Sequence, residues 1–91
     1  MDFEWDERKR LSNLAKHGID FRVAVSIFLG HVLERRDERR NYREVRMIAT
    51  GLAHGTEITL VYAKRGSIRR VISARRAHKN ERKAYRARFP F

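Results

Sequence analysis

The sequence predicts an α+β fold in which two short N-terminal helices and a C-terminal helix pack on an antiparallel β-sheet. Three observations predict it. Apolar residues recur at three- and four-residue spacing before Gly30, β-type runs separated by glycine-containing turns fill the middle, and helical spacing returns after Arg76. At 91 residues the chain is expected to form one domain, residues 1–91, with one modest core and one site.

In chain order, Phe3 and Trp5 alternate with Asp2, Glu4 and Asp6, the pattern of a short half-buried strand in which Trp5 is a core residue. Asp6 is placed to cap a helix whose apolar face is Leu11, Leu14 and Ala15. Lys16 and His17 lie in its last turn and Gly18 supplies the left-handed stop. Asp20 repeats the capping logic before a second helix, Phe21 to Leu29, closed by Gly30. Strands are expected over Val32–Arg36, Arg43–Gly51, Glu57–Lys64 and Ile68–Ala74. The connections Leu52–Gly55 and Arg65–Gly66 read as hairpins, so the sheet is a meander. The charged stretch Asp37–Tyr42 is an exposed loop. Strict alternation in the last strand puts Arg69, Val71, Ser73 and Arg75 on one face and Arg70, Ile72 and Ala74 on the other. Ala77, Glu81, Ala84, Tyr85 and Arg88 then recur at helical spacing.

The formal charge of +11 is concentrated at the C-terminal end. Lys64 to Phe91 holds eleven basic residues and one acid, Glu81, a local charge of +10. Such a stripe attracts polyanions, and with a tyrosine in it has the footprint of a nucleic-acid surface. An over-charged, merely solvated helix is the alternative. Cysteine is absent, which removes disulfides and thiolate nucleophiles and fits a reducing cytoplasm. No apolar run approaches the roughly 18 residues that span a bilayer, and the N-terminus lacks a secretory pattern, so no membrane association is expected.

His17, His31, His54 and His78 show no ligand spacing, so neither a metal nor another cofactor is expected. RNA cleavage without a metal needs less. The 2′-hydroxyl is the nucleophile, and the protein must align it, move protons and hold the phosphate charge. Arg46, Arg75, Lys16, His17 and Tyr62 are the catalytic candidates; Arg65, Arg70, Arg76, Lys79 and Tyr85 are candidates for substrate binding. Each has a duller reading. His17 fits a helix C-terminus as a cation, Tyr62 fits a core with a satisfied hydroxyl, and Glu44 with Arg46, same-face neighbours on a strand, makes an ordinary ion pair. Arg75 stands apart, because it falls where the last strand gives way to the last helix and a guanidinium can grip a phosphate with two parallel hydrogen bonds. It reads as a partly exposed residue whose removal spares the fold.

FEWD at Phe3–Asp6, the N-x-x-KHG run from Asn13 to Gly18 followed by Phe21, E-x-R at Glu44–Arg46 with Gly51 beyond, and R-x-ISAR-x-A from Arg70 to Ala77 with Glu81 and Tyr85 after it resemble the BrnT family over essentially the whole chain. The resemblance implies a RelE-like fold, a curved antiparallel sheet flanked by helices. It further implies a metal-independent endoribonuclease toxin that acts on RNA, including ribosome-associated mRNA, and inhibits translation and growth. A BrnA-type ribbon-helix-helix antitoxin in a two-plus-two complex would hold it inactive, with operator DNA met only through that antitoxin. A non-enzymatic basic nucleic-acid-binding domain is the other function compatible with the same stripe. His78 stands where the family carries a small hydroxyl residue, which leaves the last helix without its expected cap.

Overall fold

The computed structural model describes residues 2–91. Its elements in order are β1 (Asp2–Glu4), α1 (Glu7–His17), α2 (Phe21–Ala24) running into a 3-10 segment (Val25–Leu29), β2 (Val32–Arg36), β3 (Arg46–Ala53), β4 (Thr56–Arg65), β5 (Ile68–Arg76) and α3 (Lys79–Arg88). The local signals for α1 act as expected. The Asp6 carboxylate accepts from the Arg8 and Lys9 amides at 2.8 and 3.3 Å, and Gly18 ends the helix at φ 71°. The second helix is shorter than expected. After Ala24 the chain tightens to 3-10 winding, where Val25 and Ile27 are β-branched and the Ser26 hydroxyl donates back to Val23 O at 2.6 Å, both of which disfavour regular α-helix.

The five strands lie in the order β1-β5-β4-β3-β2. From β2 to β5 the sheet is the expected antiparallel meander, but β1 runs parallel to β5, with Phe3 opposite Arg69, so the sheet is mixed. Alternation in the N-terminal segment announced a strand; it carried no information about direction. Beyond the end of β1 the exposed edge of β5 is completed by a side chain. Asn13 of α1 accepts from the Ala74 amide at 3.1 Å and donates to the Ala74 carbonyl at 2.8 Å, taking the place of a strand partner. The Asn13 side-chain Nδ2 also donates to Ile19 O at 2.8 Å, which ties the helix end to the sheet.

One face of the sheet carries Ala49, Ala53, Ile58, Leu60, Tyr62, Val71 and Ala74 against Phe21, Ala24 and Ile27, with Phe3, Trp5 and Phe28 closing the edges. Gly51 is there because nothing larger fits: a Cβ on it would lie 2.9 Å from the Ile27 Cβ and 3.2 Å from His31 O. Gly51→Ala is expected to lower stability by about 1–3 kcal/mol through overpacking, read as a reduced urea midpoint. An unchanged midpoint would show that the 3-10 segment shifts freely.

A β-bulge overturns the expected alternation in β5. Val61 pairs with Ser73 and Tyr62 with Val71, so Ile72 is extra and the side chains change faces after it. Arg69 and Val71 face the apolar core, whereas Ser73 and Arg75 face the other side together with Arg70. The correction matters, because it puts Arg70 and Arg75 on one surface. α3 lies across one end of that surface, held by the Tyr85 hydroxyl donating to His31 O at 2.9 Å and by an Arg86–Glu57 ion pair at 2.6 Å. The loop before β3 is largely exposed as expected, except that the Asp37 side chain is buried and accepts from the Arg39 amide and guanidinium.

Candidate active site

The face opposite the apolar core is organised in rows set by strand register. One row runs Arg46, Ala63, Arg70, Glu4; the next runs Arg35, Ile48, Val61, Ser73; the third runs Leu33, Thr50, Thr59, Arg75. Two strand spacings separate Arg46 from Arg70, about 10 Å at the backbone. Between them Ala63 is buried, and the Arg46 and Arg70 side chains are each part-exposed on either side of it. At the far end, a groove of about 320 Å³ between α3 and β2–β3 is lined by Arg35, Ile48, Thr50, Asn80, Glu81 and Ala84.

Each arginine on this face is held by a partner. Arg46 Nε lies 3.4 Å from the Glu44 carboxylate and its guanidinium stacks 4.1 Å from the Tyr42 ring centroid. Arg70 lies 3.4 Å from Glu4. Arg75 binds Glu81 with two parallel hydrogen bonds of 2.7 and 3.0 Å. Glu81 is only 8% exposed and also accepts from the Thr59 hydroxyl at 3.1 Å and the His78 amide at 2.7 Å. That last contact caps α3 from its third residue, so His78 does not leave the helix start bare as expected. Burial pushes the Glu81 carboxyl up, but the guanidinium, amide and hydroxyl donors outweigh it and hold it at about 2.

Two other carboxylates are held at about 2, Asp20 by Arg22 and Asp37 by Arg39. All three lie below the ordinary carboxylate range near 4. Their stabilisation is therefore complete at neutral pH and is lost as pH falls from about 4.5 toward 2. Urea midpoints are expected to be flat from pH 7 to about 5 and to fall steeply below; a flat profile down to pH 3 would show that these pairs do not stabilise the fold.

The sequence-predicted residues do not all meet. Arg46, Arg70 and Arg75 share the face just described. Tyr62 is on the opposite face and fully buried, its hydroxyl donating to Glu34 at 2.7 Å and its ring packed edge-on to Phe28. Burial raises its phenol above the ordinary value, so it fits the core reading. His17 borders a cleft of about 550 Å³ on that same side, with Leu14, Val23, His54, Ile58 and Arg76, and Lys16 precedes it in the last turn of α1. The lining of this cleft is mainly apolar, and the arginine cluster lies elsewhere. Arg65 stands beside the Gly66–Ser67 turn, Lys79 is exposed in the first turn of α3, and Tyr85 is buried with its hydroxyl on a backbone carbonyl. Glu81 and Ser73 stand in the motif from Arg70 to Tyr85 without a site role being assigned to either, and Tyr42 and Arg35 carry no signal in the sequence.

Among the described residues no three His, Cys, Asp or Glu side chains gather to hold a metal ion, and no described helix is long and apolar enough to cross a membrane. The fold is a small α+β domain with several guanidinium groups fixed on one sheet face, a positive surface of the kind that attracts polyanions. The match to known families is specific: the model of the BrnT ribonuclease toxin of type II toxin–antitoxin systems fits residues 5–81. The chain belongs to the BrnT family, and as a type II toxin it has an antitoxin partner. No curated protein matches it.

Proposed function

We propose that this BrnT-family toxin is a metal-independent endoribonuclease that cleaves RNA on the face carrying Arg46, Arg70 and Arg75. The observation that supports this reading is the convergence of three anchored guanidinium groups on one surface, brought about by the bulge at Ile72. The RNA backbone lies along this face, within reach of the part-exposed Arg46 and Arg70 side chains. The 2′-hydroxyl loses its proton and attacks the adjacent phosphorus in line, the P–O5′ bond breaks, the 5′-oxygen takes a proton from solvent, and a 2′,3′-cyclic phosphate forms. Arg75 and its neighbours hold the negative charge that grows on the phosphate oxygens. Glu44 and Glu4 stand beside the arginines where the 2′-hydroxyl proton can be taken, since Glu81 is fully engaged. Tyr62 serves the core, and Lys16 and His17 act outside the reacting site.

In this reading the fold is RelE-like, the protein works in the cytoplasm, and cleavage of mRNA arrests translation and growth. A BrnA-type ribbon-helix-helix antitoxin neutralises it in a two-plus-two complex by masking the basic surface, association being speeded by opposite charge. The test is incubation of purified toxin with an RNA transcript and with DNA of the same sequence in excess EDTA. RNA is expected to be cut with 2′,3′-cyclic phosphate ends, and DNA, lacking the 2′-hydroxyl, to survive. Cleavage that stops with chelator and returns with Mg²⁺ would overturn the mechanism; RNA bound but never cut would favour a binding protein.

A further inference from the structure

The geometry points to Glu81 as a positioning residue. It grips the terminal edge of the Arg75 guanidinium and leaves the side edge, Nε and Nη2, as a preset two-donor clamp for phosphate. The inference rests on the reading of this face as the cleavage site.

The hydrogen bonds of Arg75 can be accounted for atom by atom. Nη1 and Nη2 donate one hydrogen each to the Glu81 oxygens, at 2.7 and 3.0 Å, and Nη1 also donates to Arg76 O at 3.3 Å. A guanidinium has five N–H groups in a rigid planar fork. Those that remain are Nε–H and the Nη2 hydrogen parallel to it, and no described residue accepts from either. The side edge of a guanidinium matches two oxygens of a phosphate as well as the terminal edge does. The Arg75 side chain is 25% exposed, and no described residue accepts a hydrogen bond at that edge.

The carboxylate is itself fixed from beneath. Oε1 accepts from the Thr59 hydroxyl and the His78 amide as well as from Arg75, and Thr59 is in turn 2.8 Å from the Thr50 hydroxyl. Thr50 and Thr59 are buried in adjacent strands. A line Thr50–Thr59–Glu81–Arg75 thus runs from the sheet to the surface, and each member's orientation is set by the one below. A long, flexible arginine side chain is converted into a rigid donor pair before substrate arrives, so ordering it at the moment of reaction is avoided. A plain structural ion pair would need the two bonds to Arg75, but not a carboxylate held from two other directions and a guanidinium edge with no acceptor.

The test is single-turnover cleavage of a labelled mixed-sequence transcript by E81Q, R75A and the double variant, with thermal melting of each. Gln keeps the oxygen that meets Thr59 and the His78 amide but turns an N–H toward Nη2, so one of the two bonds to Arg75 becomes a clash of donors. E81Q is expected to lower the maximal rate about 10- to 100-fold, as for a small misplacement, with half-saturation changed less than twofold. R75A is expected to lose about 10²- to 10³-fold, and E81Q in that background should lose nothing further. Thr59→Val, which loosens the carboxylate without altering its charge, should lose a few-fold in rate and keeps the idea testable if E81Q folds poorly. E81Q or Thr59→Val cleaving at the wild-type rate while R75A is inactive would overturn the positioning role alone. Losses that multiply in the double variant would show that Glu81 acts independently of Arg75. R75A cleaving like wild type would remove the whole face from the reaction.

Discussion

Arg75→Ala is expected to slow RNA cleavage by about 10²–10³-fold, a loss of about 2.7–4 kcal/mol of transition-state stabilisation. RNA binding should weaken much less, since several other arginines remain on the face. Stability will also fall, contrary to what a partly exposed arginine suggests from sequence. Removing the guanidinium leaves the nearly buried Glu81 carboxylate with only its amide and hydroxyl donors, an imbalance of about 1–3 kcal/mol. Arg75→Lys separates the two effects, because it retains a charge beside Glu81 but has no planar pair of donors to offer phosphate. The comparison is cleavage rate against melting temperature for both variants. A lysine variant that melts like wild type and cleaves like alanine supports the clamp. Wild-type cleavage by the alanine variant would exclude Arg75.

Tyr62→Ala is the second large effect, and it falls on folding. The side chain is completely buried among Phe28, Met47 and the helices, with Arg69 stacked over its ring at 5.3 Å. Truncation of such a residue costs about 3–5 kcal/mol, much of the whole stability of a domain this size. The melting temperature should drop by well over 10 °C, at roughly 4–8 °C per kcal/mol. Tyr62→Phe removes only the hydrogen bond to Glu34 and should lose about 1 kcal/mol while cleaving RNA at the wild-type rate. A phenylalanine variant that melts normally but is slowed tenfold or more would return Tyr62 to the chemistry.

The contrast between these two residues shows what was legible in the sequence. Helix limits marked by Asp6, Asp20 and Gly18 were readable because capping is local chemistry. The four-strand meander was readable because short hairpins leave few alternatives. The parallel pairing of β1 with β5 was not, since a three-residue strand has the same alternation in either direction. Nor was the bulge at Ile72, which depends on how β5 pairs with β4 and reverses the facing of every residue after it. That single extra residue decides the site: strict alternation separates Arg69 from Arg70 correctly but sends Arg75 to the wrong side. Tyr62 illustrates the converse. Residue type suggested chemistry, and only three-dimensional burial distinguishes a catalytic phenol from a core one.

The central claim is that cleavage takes place on the Arg46–Arg70–Arg75 face and not beside the larger cleft bordered by His17. The most direct measurement is the single-turnover cleavage rate, in excess EDTA, of two folded double variants, R46A/R70A and K16A/H17A. A loss of at least 10²-fold is expected for the first and a rate within twofold of wild type for the second. Full activity in R46A/R70A together with loss of activity in K16A/H17A would contradict the claim.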